Sequence, residues 1–174
     1  MIRIKTLKAK LLFASLLAIL ALLVLTLVDI YSVNKSTDAL ASVFENRVQP
    51  TAALQDIDDN LKEVRFRMAG FLLDQMPAVG SSNQLKDARA SIPQEWNTFK
   101  EKTAGTQFSD DAKAQIEKID ANLATLPAFF DKLDKAYGAE EKPTVSSMLE
   151  DEWPSIQSGL LKPISQLLPQ QRHA

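Results

Sequence analysis

The sequence predicts an all-α protein: an antiparallel up-down four-helix bundle with an N-terminal transmembrane helix continuous with the first bundle helix. Three observations carry this expectation. Apolar residues recur in alternating steps of three and four over most of the chain, the period of a helix burying one stripe. Clusters of Pro, Gly, Ser and Thr divide that pattern into four segments. Between Leu11 and Val28 the chain runs eighteen residues without a charge. Alternating Val/Ile/Thr runs and Asn-Gly or Asp-Gly hairpin signals are missing, so strands are not expected.

The uncharged run LLFASLLAILALLVLTLV contains two polar residues, Ser15 and Thr26. Their hydroxyls can bond back to helix carbonyls. At 1.5 Å per residue it covers ~27 Å, close to the hydrocarbon thickness of a bilayer. Arg3, Lys5, Lys8 and Lys10 precede it and no acid appears before Asp29. The positive-inside bias therefore keeps the N-terminus cytoplasmic and exports the rest. The run exceeds the usual apolar core of a signal peptide and lacks small residues at a cleavage site, so it reads as a retained span. The expected layout is a basic N-terminus at 1–10, a transmembrane helix at 11–31 with Tyr31 at the outer interface, and a bundle domain at 32–174.

The first bundle segment runs to about Asp74. Leu54, Ile57, Leu61, Val64, Met68 and Phe71 form its seam, extended backwards by Leu40 and Val43. Asp58–Lys62 and Glu63–Arg67 are spaced as i,i+4 ion pairs. Met76 to Gly80 breaks the helix. Ser81 or Ser82 is expected to cap the second segment, whose face is Leu85, Ala88, Ile92, Trp96 and Phe99. Thr103-Ala104-Gly105-Thr106 ends it. Ser109 is the expected N-cap of the third, with Asp110 and Asp111 at the positive end of the dipole.

The third seam is Ala112, Ile116, Ile119, Leu123, Leu126, Phe130, Leu133 and Tyr137, and Gly138 occupies the expected C′ position. Phe129 and Phe130 read as one core ring and one partly exposed ring. Pro143 opens the fourth segment, with Val145, Leu149, Ile156, Leu160, Ile164 and Leu167 on its apolar side. Pro50, Pro93, Pro127, Pro154 and Pro163 all fall inside proposed helices, so each helix is expected either to kink or to divide there.

Composition removes most chemistry. The chain has no Cys and one His, the penultimate His173. That leaves no zinc or thiolate site, no well-placed catalytic triad and no disulfide. None of the five glycines stands in a phosphate-cradling context. The paired acids Asp58-Asp59, Asp110-Asp111 and Glu140-Glu141 read as solvated helix faces and ends. No enzyme, cofactor or metal is expected. The formal net charge is −2, and the four cations before Leu11 leave the remainder at −6. Such a surface is a poor partner for nucleic acid.

A basic-flanked first helix, Asn34, the stretch Val43-Phe44-Glu45-Asn46-Arg47-Val48-Gln49-Pro50, and then Leu54, Ile57 and Val64-Arg65 together resemble the opening of a bacterial chemoreceptor, a methyl-accepting chemotaxis protein. Glu152-Trp153-Pro154 with Lys162-Pro163-Ile164 and Leu167 is similar to that family's fourth helix returning to the membrane. The resemblance is strongest over residues 1–74. It implies the ligand-sensing domain of a homodimer in the bacterial inner membrane, periplasmic after about residue 31. A small amino acid or organic acid would be the ligand, and a displacement of the first and fourth helices would carry the signal. Such receptors continue into a second membrane helix and a cytoplasmic coiled coil. Residues 167–174 precede any such run, so the chain is expected to be a fragment or a free-standing anchored sensor bundle. The alternatives are the sensor of a histidine kinase or a single-pass bundle serving as an interaction or structural module.

The resemblance also implies a pocket between the first helix and its partner subunit. Arg65 and Arg67 are candidates to hold a carboxylate there, since a planar guanidinium can do so bidentately. Arg89, Trp96 and Tyr137 could contribute. Core packing for Trp96 and Tyr137, and ordinary flank charge for the arginines, is the plainer reading.

Overall fold

Leu54, Ile57, Leu61, Val64, Met68 and Phe71 form one buried stripe, none of them more than 5% exposed, along helix α1 (Gln49–Leu72). In the computed structural model residues 43–173 are described throughout, with 13–17, 19–20, 22–26, 31, 35 and 37 before them; the side chains of 46 and 170–173 lie outside the description. The chain divides into two compact units, 1–43 and 44–174. The second is the bundle.

Three helices follow α1 before the chain turns for the last time: α2 (Ala78–Lys102), α3 (Asp110–Leu123) and α4 (Leu126–Gly138). The fourth bundle helix is a series of short pieces, α5 (Lys142–Ser147), α6 (Trp153–Ile156) and α7 (Lys162–His173). Wider π-helical turns at Met148–Glu152 and Gln157–Leu161 join them. α1 packs along α2, α2 against α4, α3 against α7, and α1 against α5 and α7. Consecutive bundle helices are thus neighbours and the fourth closes on the first, the up-down topology the four seams require.

Among the described residues, twenty-seven hydrophobic side chains make one continuous core. It includes every seam residue of α1 and α2 and most of those of the third and fourth segments; Ile116, Leu123 and Leu149 pack against it half-buried. Phe129 is 7% exposed, so both rings of the Phe129-Phe130 pair are core, contrary to expectation. Val43, expected to extend the seam, is 50% exposed, and Leu40 lies outside the described residues.

Proline explains where the helices divide. A proline lacks the N–H for its helical bond, and its ring crowds the carbonyl four residues back. Pro50, Pro127, Pro143 and Pro154 each sit in the first turn of a new helix, where neither fault matters. Three X-Pro pairs follow directly on a π turn: Phe44–Val48 precedes Gln49-Pro50, Met148–Glu152 precedes Trp153-Pro154, and Gln157–Leu161 precedes Lys162-Pro163. The wider turn moves the crowded carbonyl aside and takes up one extra residue. In the fourth helix this is visible in the core: Val145, Met148, Trp153, Ile156, Leu160, Ile164 and Leu167 are buried, and the five-residue step from Met148 to Trp153 spans a π turn. Pro93 and Pro169 leave their helices undivided, α2 and α7 running through them.

Helix ends correct two expectations, the Ser81/Ser82 cap and the Gly138 C′ position, and show that the third segment divides at Pro127 rather than kinks. α2 begins at Ala78 behind an extended Pro77 (φ −71°, ψ 146°), so neither Ser81 nor Ser82 is its N-cap. Ser81 is instead buried, and its Oγ donates to the Pro77 carbonyl at 3.1 Å. The third seam is one stripe but two helices, divided at Ala124-Thr125 ahead of Pro127. Gly138 is the last helical residue rather than C′, and Glu140 (φ 52°) takes the left-handed position. The Glu141 and Glu140 N–H groups donate to Ala136 and Tyr137 carbonyls at 2.9 and 3.1 Å, a Schellman closure. Asp74 (φ 59°) closes α1 likewise, with Gln75 N–H to Gly70 O at 2.8 Å. Ser109 does cap α3, accepting from Ala112 N–H at 3.2 Å.

In the first unit the described residues of the uncharged run are helical, and Phe13, Leu16, Leu17, Ile19, Leu20 and Leu22 to Leu25 are all more than half exposed. Thr26 Oγ1 donates to Leu22 O at 2.8 Å, as expected of a hydroxyl in an apolar helix. Among the described residues no helix is long and apolar enough to cross a membrane. The expected span at 11–31 includes 11, 12, 18, 21 and 27–30, which lie outside the described residues, as do 32–34, 36 and 38–42, on which its continuity with the bundle depends.

Candidate functional site

Arg65 and Arg67 are two apart on α1 and so point to different neighbours. Arg65 is exposed and lines a groove of about 1030 Å³ between α1 and the fourth bundle helix. Lys62, Phe66 and Ala69 share the α1 wall, and Gln157, Ser158, Leu161, Lys162 and Ser165 form the other. Asp58 accepts from Lys62 Nζ at 2.5 Å, the i,i+4 pair expected from the sequence. That hydrogen bond, with the Asp58 charge, holds the Lys62 ammonium above its ordinary range. Arg65 and Lys162 make no salt bridge among the described residues, so the groove keeps two uncompensated cations. Phe66, 59% exposed, adds an apolar face beside them. The arrangement suits a carboxylate or another small anion with some apolar surface.

Arg67 belongs to a different structure. Its Nε donates to Glu63 Oε1 at 2.6 Å and its Nη1 to the Gly80 carbonyl at 3.3 Å. It is a tie between α1 and the first turn of α2. Tyr137 is 1% exposed and stands edge-on to Phe71, ring centroids 5.1 Å apart. Burial pushes its phenol well above the ordinary value, against smaller opposing effects of Arg67 and Ser81. Among the described residues its hydroxyl has no hydrogen-bond partner within bonding geometry, and neither have the buried Trp153 indole N–H and the Ser91 hydroxyl.

Arg89 ion-pairs with Asp131 across from α2 to α4, which lowers the Asp131 carboxyl and raises the guanidinium. Trp96 is core, with its Nε1 donating to Asp120 at 2.6 Å and stacked on Phe99 at 5.0 Å. The candidate ligand residues therefore do not converge: Arg65 faces the groove, Arg67 and Tyr137 serve the α1–α2 end, Arg89 bridges α2 and α4, and Trp96 is core. Lys62, Phe66 and Lys162 are the groove residues that sequence reasoning missed. The i,i+4 and i,i+3 spacing of Phe66 and Arg65 to Lys62 was the available signal on α1. For Lys162 there was none, since its place depends on the π turns.

Among the described residues no group of His, Cys, Asp and Glu could hold a metal ion. Compared with known families, residues 4–169 match a family model described as a four helix bundle sensory module for signal transduction. No curated protein and no solved structure matches the chain.

Proposed function

Because this chain belongs to the family of four-helix-bundle sensory modules for signal transduction, a sensor family that is typically non-catalytic, we propose that it is the ligand-sensing part of a bacterial transmembrane chemoreceptor. In this reading Leu11–Val28 spans the inner membrane, the N-terminus is cytoplasmic, the bundle is periplasmic, and two copies pair. The apolar side chains exposed along the described residues of that run support the membrane assignment, since water would disfavour such a surface. The ligand is a small carboxylate of the amino-acid or organic-acid class, bound in the α1/fourth-helix groove by Arg65 and Lys162.

One observation carries the site: two cations that make no salt bridge among the described residues share a groove with an exposed phenyl ring. The groove walls are the first and fourth bundle helices, the two that this reading makes carry the signal. A ligand bridging them favours whichever relative position of the two it fits better, and that differential affinity is the signal.

The test is a thermal-shift screen of the detergent-solubilised full chain against the α-amino acids, succinate, malate and citrate. At least one is expected to raise the unfolding midpoint by several degrees at saturating concentration, and Arg65→Gln to abolish the shift. Failure of all of them to move the midpoint would sink direct sensing of this class. A shift that survives Arg65→Gln would place the ligand elsewhere.

A further inference from the structure

We propose a second, ring-sized ligand site inside a single bundle, in the cleft between α2 and the break of the third bundle helix, taking a monocarboxylate with an apolar ring. The site involves neither the α1 groove nor a partner subunit, and it holds or fails independently of ligand binding in that groove.

The cleft lies where α2 faces the joint between α3 and α4. α3 stops at Leu123 and α4 starts at Leu126-Pro127, and Ala124-Thr125 between them keep helical backbone while the regular hydrogen bonding lapses. Opposite that joint α2 presents Pro93. The resulting space is about 260 Å³. An apolar cavity of ~150 Å³ is enough to hold benzene, so one ring with a substituent fits. Its floor is Ile92, Trp96, Leu126 and Phe130, each no more than 3% exposed. Polar ties from α2 to the third bundle helix bound the cleft at two levels: Arg89 to Asp131, and Trp96 Nε1 to Asp120.

Charge at the rim sets the polarity of the occupant. Asp120 already accepts from both Trp96 Nε1 and Lys100 Nζ, at 2.6 and 3.2 Å, which leaves it little to offer a cation. Arg89 gives Nη1 to Asp131 and keeps the other N–H groups of its planar fork. A carboxylate at Arg89 with its ring over Trp96 and Phe130 satisfies both halves of the cleft.

The experiment is a ¹⁹F NMR titration of the full chain in detergent micelles with 4-fluorobenzoate, against empty micelles as blank and 4-fluorobenzylamine as the charge-reversed ring. Saturable broadening is expected for the acid, with the amine at least tenfold weaker. Ala124→Phe, which fills the cleft from its exposed rim, and Arg89→Gln are each expected to weaken the acid at least tenfold with the far-UV circular dichroism unchanged. Arg65→Gln is expected to leave it unaffected. No saturable broadening above the blank, equal binding of the amine, or retention in either cleft variant overturns the site. Loss in Arg65→Gln overturns it too, by assigning the acid to the α1 groove.

Discussion

The Asn122 carboxamide of α3 lies where the side chain of residue 159 would begin, had that residue one. A Cβ built on Gly159 falls inside the Asn122 side chain, with Nδ2 still only 2.9 Å away. The Asn122 amide is held there by its own helix, donating to Lys118 O at 2.8 Å. Gly159 sits in the second π turn of the fourth helix, and this contact is how closely that turn approaches α3. Gly159→Ala must push that carboxamide aside; because it is the far end of a half-exposed side chain and alanine suits a helix better than glycine, the net loss should stay under about 1 kcal/mol. Asn122→Ala in the same chain should restore stability to wild type or above, since alanine suits a helix better than glycine. The check is a double-mutant cycle by urea unfolding; additive effects would mean the two residues do not meet.

Tyr137→Phe removes a buried hydroxyl that has no hydrogen-bond partner in good geometry among the described residues. Deleting an unsatisfied polar group is neutral or stabilising, so the variant should unfold at the same urea concentration or higher. The alkaline limb tells more. Burial raises the folded phenol above its ordinary 10.0, whereas the unfolded phenol ionises near pH 10. Above that pH the native state holds the extra proton, so the tyrosine's contribution to stability falls as pH rises, by up to ~1.4 kcal/mol per pH unit. Between pH 10 and 12 Tyr137→Phe should lose stability less steeply than wild type. Parallel slopes would refute the buried, neutral phenol.

If the π turn at Met148–Glu152 absorbs one extra residue, then one residue can be removed there. Deleting the exposed Asp151 together with Pro154→Ala should leave Val145, Met148 and Trp153 facing the core and the thermal midpoint within a few degrees of wild type. Deleting the exposed Gln94 from α2 should instead rotate Trp96 and Phe99 out of the core by ~100° and abolish cooperative unfolding. Equal damage from both would mean the π turn is not a register device.

Glu140 closes α4 in a left-handed conformation that suits glycine. Glu140→Gly should stabilise the bundle by about 0.5–1 kcal/mol, relief of strain outweighing the added freedom of the unfolded chain. Thermal melts report this as a midpoint a few degrees higher. Asp74→Gly should gain less, since it also removes the exposed ion pair from Lys142 at 2.5 Å. A loss of stability in Glu140→Gly would show that its side chain outweighs its backbone.

The identity of the core residues was legible in the sequence, because burial follows from period and each seam had one. Leu54 to Phe71 and Leu85 to Phe99 repeat it without interruption. The fourth helix was less legible. Trp153 breaks a strict three-four step and becomes core only because the π turn before it advances the chain by an extra residue. The Ser81 cap failed for a related reason: Pro77 was already extended and able to start the helix, and Ser81 was needed inside.

The candidate site was the least legible part. Arg65, Arg67, Arg89 and Tyr137 share a chemistry that sequence can select, but the direction of each side chain depends on helix azimuth. Two residues along α1 turn Arg67 away from Arg65 and onto Gly80. By itself the sequence determined four amphipathic helices, their order, their core and the apolar run before them, since these follow from local period and from groups that must avoid or seek water. Tertiary structure alone decided which helix faces which, where prolines open a turn, and which cations are left without partners in a groove. Those depend on contacts between residues far apart in the chain, such as Asn122 with Gly159 and Arg89 with Asp131, that no local pattern encodes.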